Sequence, residues 1–201
     1  MLMQGLCIMH QLSVLIAEDD PVVSLLLQQQ LANLGHRVIG QAGDGLEAVA
    51  LVREHKPDLV IMDIMMPRLD GLDASRMIME LAPTPIILLT SHSDEHLIER
   101  AYQAGVLAYL VKPVDERDLA PAIRLAVGQF DQLQALRSEV SHLKEALETR
   151  KLVERAKGIL MDRLGLSEEE AFRRIQRSAR EKQRTMRDIA RTIIEANDLL
   201  K

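Results

Sequence analysis

The chain has almost no aromatic residues: two Tyr, two Phe and no Trp among 201. Modules that stack nucleobases on exposed rings are therefore poor candidates. The single cysteine, Cys7, cannot build an intramolecular disulfide framework and leaves a cysteine-based zinc site short of ligands. No apolar run reaches the roughly 18 residues of a membrane-spanning helix. The first ten residues are apolar but hold no Lys or Arg, so they do not read as a signal peptide, and Met9 serves as well as Met1 as a start. A reducing cytoplasm is the expected setting. Proline is missing after Pro121, as long uninterrupted helices require. The acidic excess stops in the same region. Residues 1–128 carry 9 Lys and Arg against 17 Asp and Glu, a net of −8, while residues 129–201 carry 16 against 13, a net of +3. Apolar residues make up 47% of the chain, enough for a core. Both changes place a boundary near residue 125. The expected organisation is an extension over 1–11, a first domain over 12–128, a coiled-coil linker over 129–147 and an all-α domain over 145–201.

The first domain alternates two patterns. Short apolar runs at 12–17, 36–42, 59–62, 86–90 and 108–111 read as strands. Between them, helical stripes run over 46–55, 72–81 and 94–104, and from Pro21 to a stop at Gly35. Asp20 suits a helix cap and Pro21 the first helical position. A further helix follows Pro113. Strands this short and apolar, alternating with helices, imply an α/β fold with a parallel sheet covered on both faces. Function in such sheets lies at the carboxyl ends of the strands. Those ends carry Glu18 and Asp19, Asp63, Thr90 and Ser91, and Lys112. Three carboxylates brought together repel unless a cation joins them, and hard oxygen ligands suit Mg²⁺. A carboxylate can also act as a nucleophile toward phosphorus, with a metal and a Lys neutralising the phosphoryl oxygens.

The segments LIAEDDP, IMDIMMPRLDG, LLTS and AYLVKP, in this order and spacing, closely resemble the receiver domain of two-component response regulators. The resemblance covers residues 12–128. It implies a flavodoxin-like (βα)5 fold with sheet order 2-1-3-4-5 and a cis bond before Pro113. By the same resemblance Asp63 is the phospho-acceptor, and Glu18, Asp19, Asp63 and the Met65 carbonyl hold Mg²⁺. Lys112 pairs with the phosphoryl group, Thr90 and Tyr109 form the switch, and Ser91 leaves access open. A sensor histidine kinase is the implied phosphodonor.

The second half reads as helical. Leu133, Leu136, Val140, Leu143 and Leu147 follow the 3-4 spacing of a coiled-coil seam, which Ile123, Ala126 and Phe130 extend upstream with a phase slip. It could pair with a second chain, preferably as a parallel homodimer, or fold back within its own. Gly165 ends the long helix. Ser167 with Glu170, and Thr185 with Asp188, read as capping boxes that open two more helices. Between Arg173 and Arg191, eight basic residues face two acidic ones. Arg173, Arg177, Arg180 and Arg184 share one helix face, which suits a phosphate backbone. The run RKLVERAKGILMDRLGLSEEEAF, with Ala179, Thr185-Met186 and Ile189-Ala190, closely resembles the ANTAR domain of the AmiR and NasT antitermination regulators. The resemblance spans about 145–197. It implies binding to paired hairpins in transcript leaders that prevents an overlapping terminator from forming. Carried over, the RNA face comprises Lys157, Arg180, Lys182, Arg184, Thr185 and Arg187. Ala156 and Gly158 are expected to allow close helix packing. The chain is thus expected to be a regulator with no metabolite substrate. The rival readings are a DNA-binding regulator and a protein-binding adaptor.

Overall fold

The computed structural model describes residues 11–91 and 106–199. The expected N-terminal extension, save Gln11, and the helix over 94–104 lie outside these residues. The chain divides into two compact units, Met1–Leu133 and Gln134–Lys201.

The first unit runs β1 (Ser13–Ala17), α1 (Pro21–Asn33), β2 (Arg37–Ala42), α2 (Gly45–His55), β3 (Leu59–Asp63), α3 (Gly71–Leu81), β4 (Ile86–Thr90) and β5 (Ala108–Val111). All pairings are parallel and the order is β2-β1-β3-β4-β5. Each described helix between strands has an aspartate cap. Asp20 accepts from the Val22 N–H at 2.8 Å, Asp44 from Glu47 at 3.0 Å and Asp70 from Asp73 at 2.8 Å, so each satisfies an N–H that the first helical turn leaves open. Gly35 follows α1 with φ of +84°, a conformation glycine adopts without cost.

Strand residues point alternately to opposite faces, and the core divides accordingly. Leu59 and Ile61 join Val14, Ile16, Leu27, Leu31, Ile87 and Leu89 on one face. Val60 and Met62 join Leu15, Val49, Val52, Leu72, Ile78 and Leu88 on the other. Burying each such side chain contributes roughly 1.5–3 kcal/mol, so a one-residue slip of β3 would forfeit several of them together. The Lys112–Pro113 bond is cis.

The helix α4 spans Glu116–Leu164. Its Ile123 and Ala126 are fully buried in the first unit's core with Leu119. They therefore do not extend an open seam, and this corrects the sequence expectation. Leu136, Val140, Leu143 and Leu147, by contrast, are 49–63% exposed.

The second unit closes the end of α4 against α5 (Glu168–Glu181) and α6 (Met186–Asp198). Val153, Ala156, Ile175, Ala179, Ile189, Ala190 and Ile194 form its core. Both capping boxes are present. The Ser167 hydroxyl accepts from Glu170 N–H at 3.3 Å while Glu170 accepts from Ser167 N–H at 2.9 Å. Thr185 and Asp188 exchange the same pair at 3.1 and 3.2 Å. Gly165, with φ of +63°, ends α4 as expected. Ala156 is fully buried, but a Cβ built on Gly158 would meet nothing within 4 Å. The close packing expected of both residues thus holds for Ala156 alone.

Candidate functional site

Parallel pairing in register brings four strand ends to one edge. Asp63 lies opposite Leu89, and Thr90 opposite Val111, so β3, β4 and β5 end within a residue of one another. Glu18 follows β1, its N–H donating to the Ala42 carbonyl at 2.9 Å, and Lys112 follows β5, its N–H donating to the Thr90 carbonyl at 2.8 Å. Side chains far apart in sequence thereby converge. The Lys112 ammonium donates to Glu18 Oε2 at 2.6 Å and to Asp63 Oδ2 at 2.9 Å. Ligand oxygens of Glu18, Asp19 and Asp63 all lie within 4.8 Å of one another. Glu18 and Asp63 are buried, while Asp19 opens to solvent.

The electrostatics favour an added cation. Three carboxylates face one ammonium. Burial raises the Glu18 pKa, and Asp63 adds to the rise, against the hydrogen bond and charge of Lys112. Burial alone would lower the Lys112 pKa, but its hydrogen bonds and attraction to Glu18 and Asp63 outweigh that and raise it. Asp63 Oδ1 is buried and has no hydrogen-bond partner among the described residues. An orphaned carboxylate oxygen beside two further carboxylates fits a hard divalent ion.

Thr90 is buried at the end of β4, Tyr109 on the edge strand is 41% exposed, and Ser91 is exposed. Met65, whose carbonyl the resemblance offers as a ligand, has an exposed side chain in the loop after β3. Two further residues that the sequence expectation does not include shape this loop. The Gly71 N–H donates to the Ile64 carbonyl at 2.8 Å, and a Cβ on Gly71 would fall 2.1 Å from the Asp63 carbonyl oxygen. Arg68 pairs with the buried Asp44, linking the loop to the turn before α2. The Asp70-Gly71 pair within the recognised motif was a usable signal for the first; nothing local signals the second.

Among the described residues, the cations of the basic region divide into those that form ion pairs and those that do not. Lys157, expected on the RNA face, is engaged within the protein: its side chain is 7% exposed, and Nζ donates to Glu154 at 2.9 Å and to Glu168 at 2.7 Å. Hydrogen bonds from these two carboxylates raise its pKa. Lys157 instead ties α4 to the first turn of α5. Arg173 pairs with Glu169. The Thr185 hydroxyl donates to Asp188 at 2.7 Å and is committed to its cap. Arg180, Lys182 and Arg184 are exposed, and Arg187 is half-buried.

Comparison with known proteins agrees with this geometry. Residues 14–124 match the response regulator receiver domain, and residues 141–194 match the ANTAR domain. The chain belongs to the response regulators, with a receiver at its N-terminal side and an ANTAR RNA-binding output module. Among its relatives is the transcriptional regulatory protein PdtaR of Mycobacterium tuberculosis (strain ATCC 25618 / H37Rv), 50% identical over 182 residues that cover 90% of this chain and 89% of that one. The response regulator domain of Thermotoga maritima CheB superposes with a TM-score of 0.53 at 32% identity, over 60% of this chain and 96% of that one. A chain of the CheX–CheY–BeF3–Mg²⁺ complex from Borrelia burgdorferi gives 0.54 at 30% identity, over 56% and 86%. No helix among the described residues is long and apolar enough to cross a membrane.

Proposed function

We propose that this response regulator accepts a phosphoryl group on Asp63 from a sensor histidine kinase and thereby controls transcription antitermination through hairpin RNA. The observation that carries the first half is Lys112, held between Glu18 and Asp63 while Asp63 Oδ1 has no partner among the described residues. An Asp63 oxygen attacks the phosphorus of a phosphohistidine. The new O–P bond forms as the N–P bond breaks, and the imidazole leaves with the electron pair. Lys112 then faces the phosphoryl oxygens and offsets their charge. Glu18, Asp19, Asp63 and the Met65 carbonyl would hold Mg²⁺, which supplies further neutralisation of the same charge. Thr90, next to the site, would turn its hydroxyl to the phosphoryl group, and Tyr109 would move inward with it.

For the output, the ANTAR match and the cations of α5, the turn after it and the start of α6 that form no ion pair among the described residues support an RNA face that includes Arg180, Lys182, Arg184 and Arg187, with Thr185 as a neighbour. The exposed seam Leu136, Val140, Leu143 and Leu147 supports a homodimer. Two chains binding two hairpins gain affinity through avidity. A cytoplasmic location follows from this reading, since kinase phosphotransfer and nascent transcripts meet there.

The test compares binding to a two-hairpin RNA and to duplex DNA of equal length, with and without a phosphoryl mimic at Asp63. RNA preference that strengthens with the mimic is expected. RNA binding indifferent to the mimic would remove the gating. Preference for duplex DNA would favour a DNA-binding regulator, and binding to neither would favour a protein adaptor.

A further inference from the structure

The last three helices enclose a small groove with apolar walls and a cationic rim. Leu160 of α4, Ile175 of α5, and Ile189 and Ile193 of α6 line it, and its volume is about 180 Å³. That is well below the roughly 300–1,000 Å³ of a pocket for a drug-sized ligand or cofactor. It suits one planar ring rather than a whole nucleotide. Arg174, Lys182 and Arg184 stand at its edge. All three are exposed, and none lies within ion-pair distance of a carboxylate among the described residues. Lys157 and Arg173 differ in forming ion pairs, whereas Arg184 lies near enough to Asp188 to help lower its pKa without reaching ion-pair distance. The turn that carries Lys182 and Arg184 to the rim passes through Gln183, held at φ of +51°.

We infer that this groove receives one unpaired nucleobase of the bound RNA, with the flanking phosphates on Arg174, Lys182 and Arg184. The inference rests on the RNA-binding reading above and names the part of the RNA that the site takes. Three cations that form no ion pair among the described residues, set around an apolar hollow, repel one another and match a ligand that is polyanionic outside and flat and apolar within. A buried apolar protein side chain would use the hollow but not the cations. The edge of a base needs polar partners, and the groove has two. The Ser178 hydroxyl makes no hydrogen bond among the described residues, and the Thr192 hydroxyl donates to the Asp188 carbonyl at 2.9 Å, leaving its lone pairs open. With no aromatic residue in the lining, the ring would lie against aliphatic side chains and an Arg guanidinium plane.

The test uses the full chain and a two-hairpin RNA in which each unpaired position is replaced in turn by an abasic ribose. One position is expected to lose roughly tenfold in affinity, the others little. Ser178→Leu fills the groove without changing charge. It should weaken intact RNA by a similar factor, leave the salt dependence alone, and cause no further loss on the RNA that lacks the critical base. Lys182→Ala should do the reverse, lowering the slope of log affinity against log salt by about one and weakening every RNA alike. Thr192→Leu is a second filling variant should Ser178→Leu melt early. A flat abasic scan would overturn the inference. So would two folded filling variants that bind like the parent, or a loss equal on intact and abasic RNA. If the parent chain bound no hairpin RNA at all, the RNA reading itself would fall, and the groove would pass to a protein partner.

Discussion

Each unit of this protein holds one lysine between two carboxylates, and the two arrangements do different things. Lys112 bridges Glu18 and Asp63, whose side chains are 1% and 7% exposed. Lys157 bridges Glu154 and Glu168, which are 56% and 72% exposed. Water screens the second pair of carboxylates, so that lysine acts as a strut between α4 and α5. It cannot screen the first, and there Asp19 adds a third carboxylate. The receiver edge is left with an anionic surplus that only a cation or a change of protonation can relieve. Burial of the carboxylates, more than that of the lysine, turns a salt bridge into a reactive site.

The strongest way to sharpen this contrast is through backbone room. Gly71→Ala should destabilise the receiver by about 3 kcal/mol or more, because its Cβ would collide with the Asp63 carbonyl. A chemical melt that leaves the receiver unchanged would refute the packing argument. Removing each lysine is the next test. Lys112→Met strands two buried carboxylates and should cost about 3 kcal/mol, part of it restored by Mg²⁺. Lys157→Met strands two solvated ones, so its penalty should be much smaller, and RNA affinity and its salt slope should stay as in the parent. Equal losses from the two variants, or a lower salt slope for Lys157→Met, would break the comparison.

Smaller effects are expected in the helical core. Ala156→Leu should cost about 1–3 kcal/mol by overpacking. Gly158→Ala, with open space around the new methyl group, should stabilise α4 by about 0.5–1 kcal/mol. Thermal melts of the two variants should move in opposite directions.

The smallest effect is the pH dependence, and it has opposite sign in the two units. Burial raises the Glu18 pKa above 4.5, so the folded receiver takes up that proton before the unfolded chain does. Stability from this group therefore increases as pH falls through the raised value. Glu18→Gln should be more stable than the parent at neutral pH and lose that advantage in acid, while Mg²⁺ binding weakens. In the second unit the Lys157 hydrogen bond lowers the Glu168 pKa below 4.5, the Ser167 hydroxyl lowers that of Glu170 below 4.5, and the Thr185 hydroxyl lowers that of Asp188 below 3.8. Their contribution is present above those values and fades as pH falls below them. Hydrogen exchange followed by region from pH 7 to 3 would separate the two trends. A Glu18→Gln advantage that persisted unchanged in acid would contradict the first.

Much of this was readable from the chain alone, for a definite reason. The five strand runs, the aspartate caps and both capping boxes depend on neighbours within a few residues, where chain geometry fixes who can meet whom. Glu18, Asp19, Asp63, Thr90 and Lys112 could be picked out because each stands at the end of such a run and parallel strands align their ends. Other features depended on segments that meet only after folding. Lys157 reads as a free cation until Glu168, across the turn at Gly165, takes up its charge. Ile123 and Ala126 keep heptad spacing yet are claimed by the receiver core. Gly158 shares a motif with Ala156 but lies where nothing packs. The groove exists only because three helices leave a gap between Leu160, Ile175 and Ile193. Periodicity says which side of a helix is apolar. Which partner covers that side, and whether a charge there meets a carboxylate or water, is decided by the packing of segments distant in sequence.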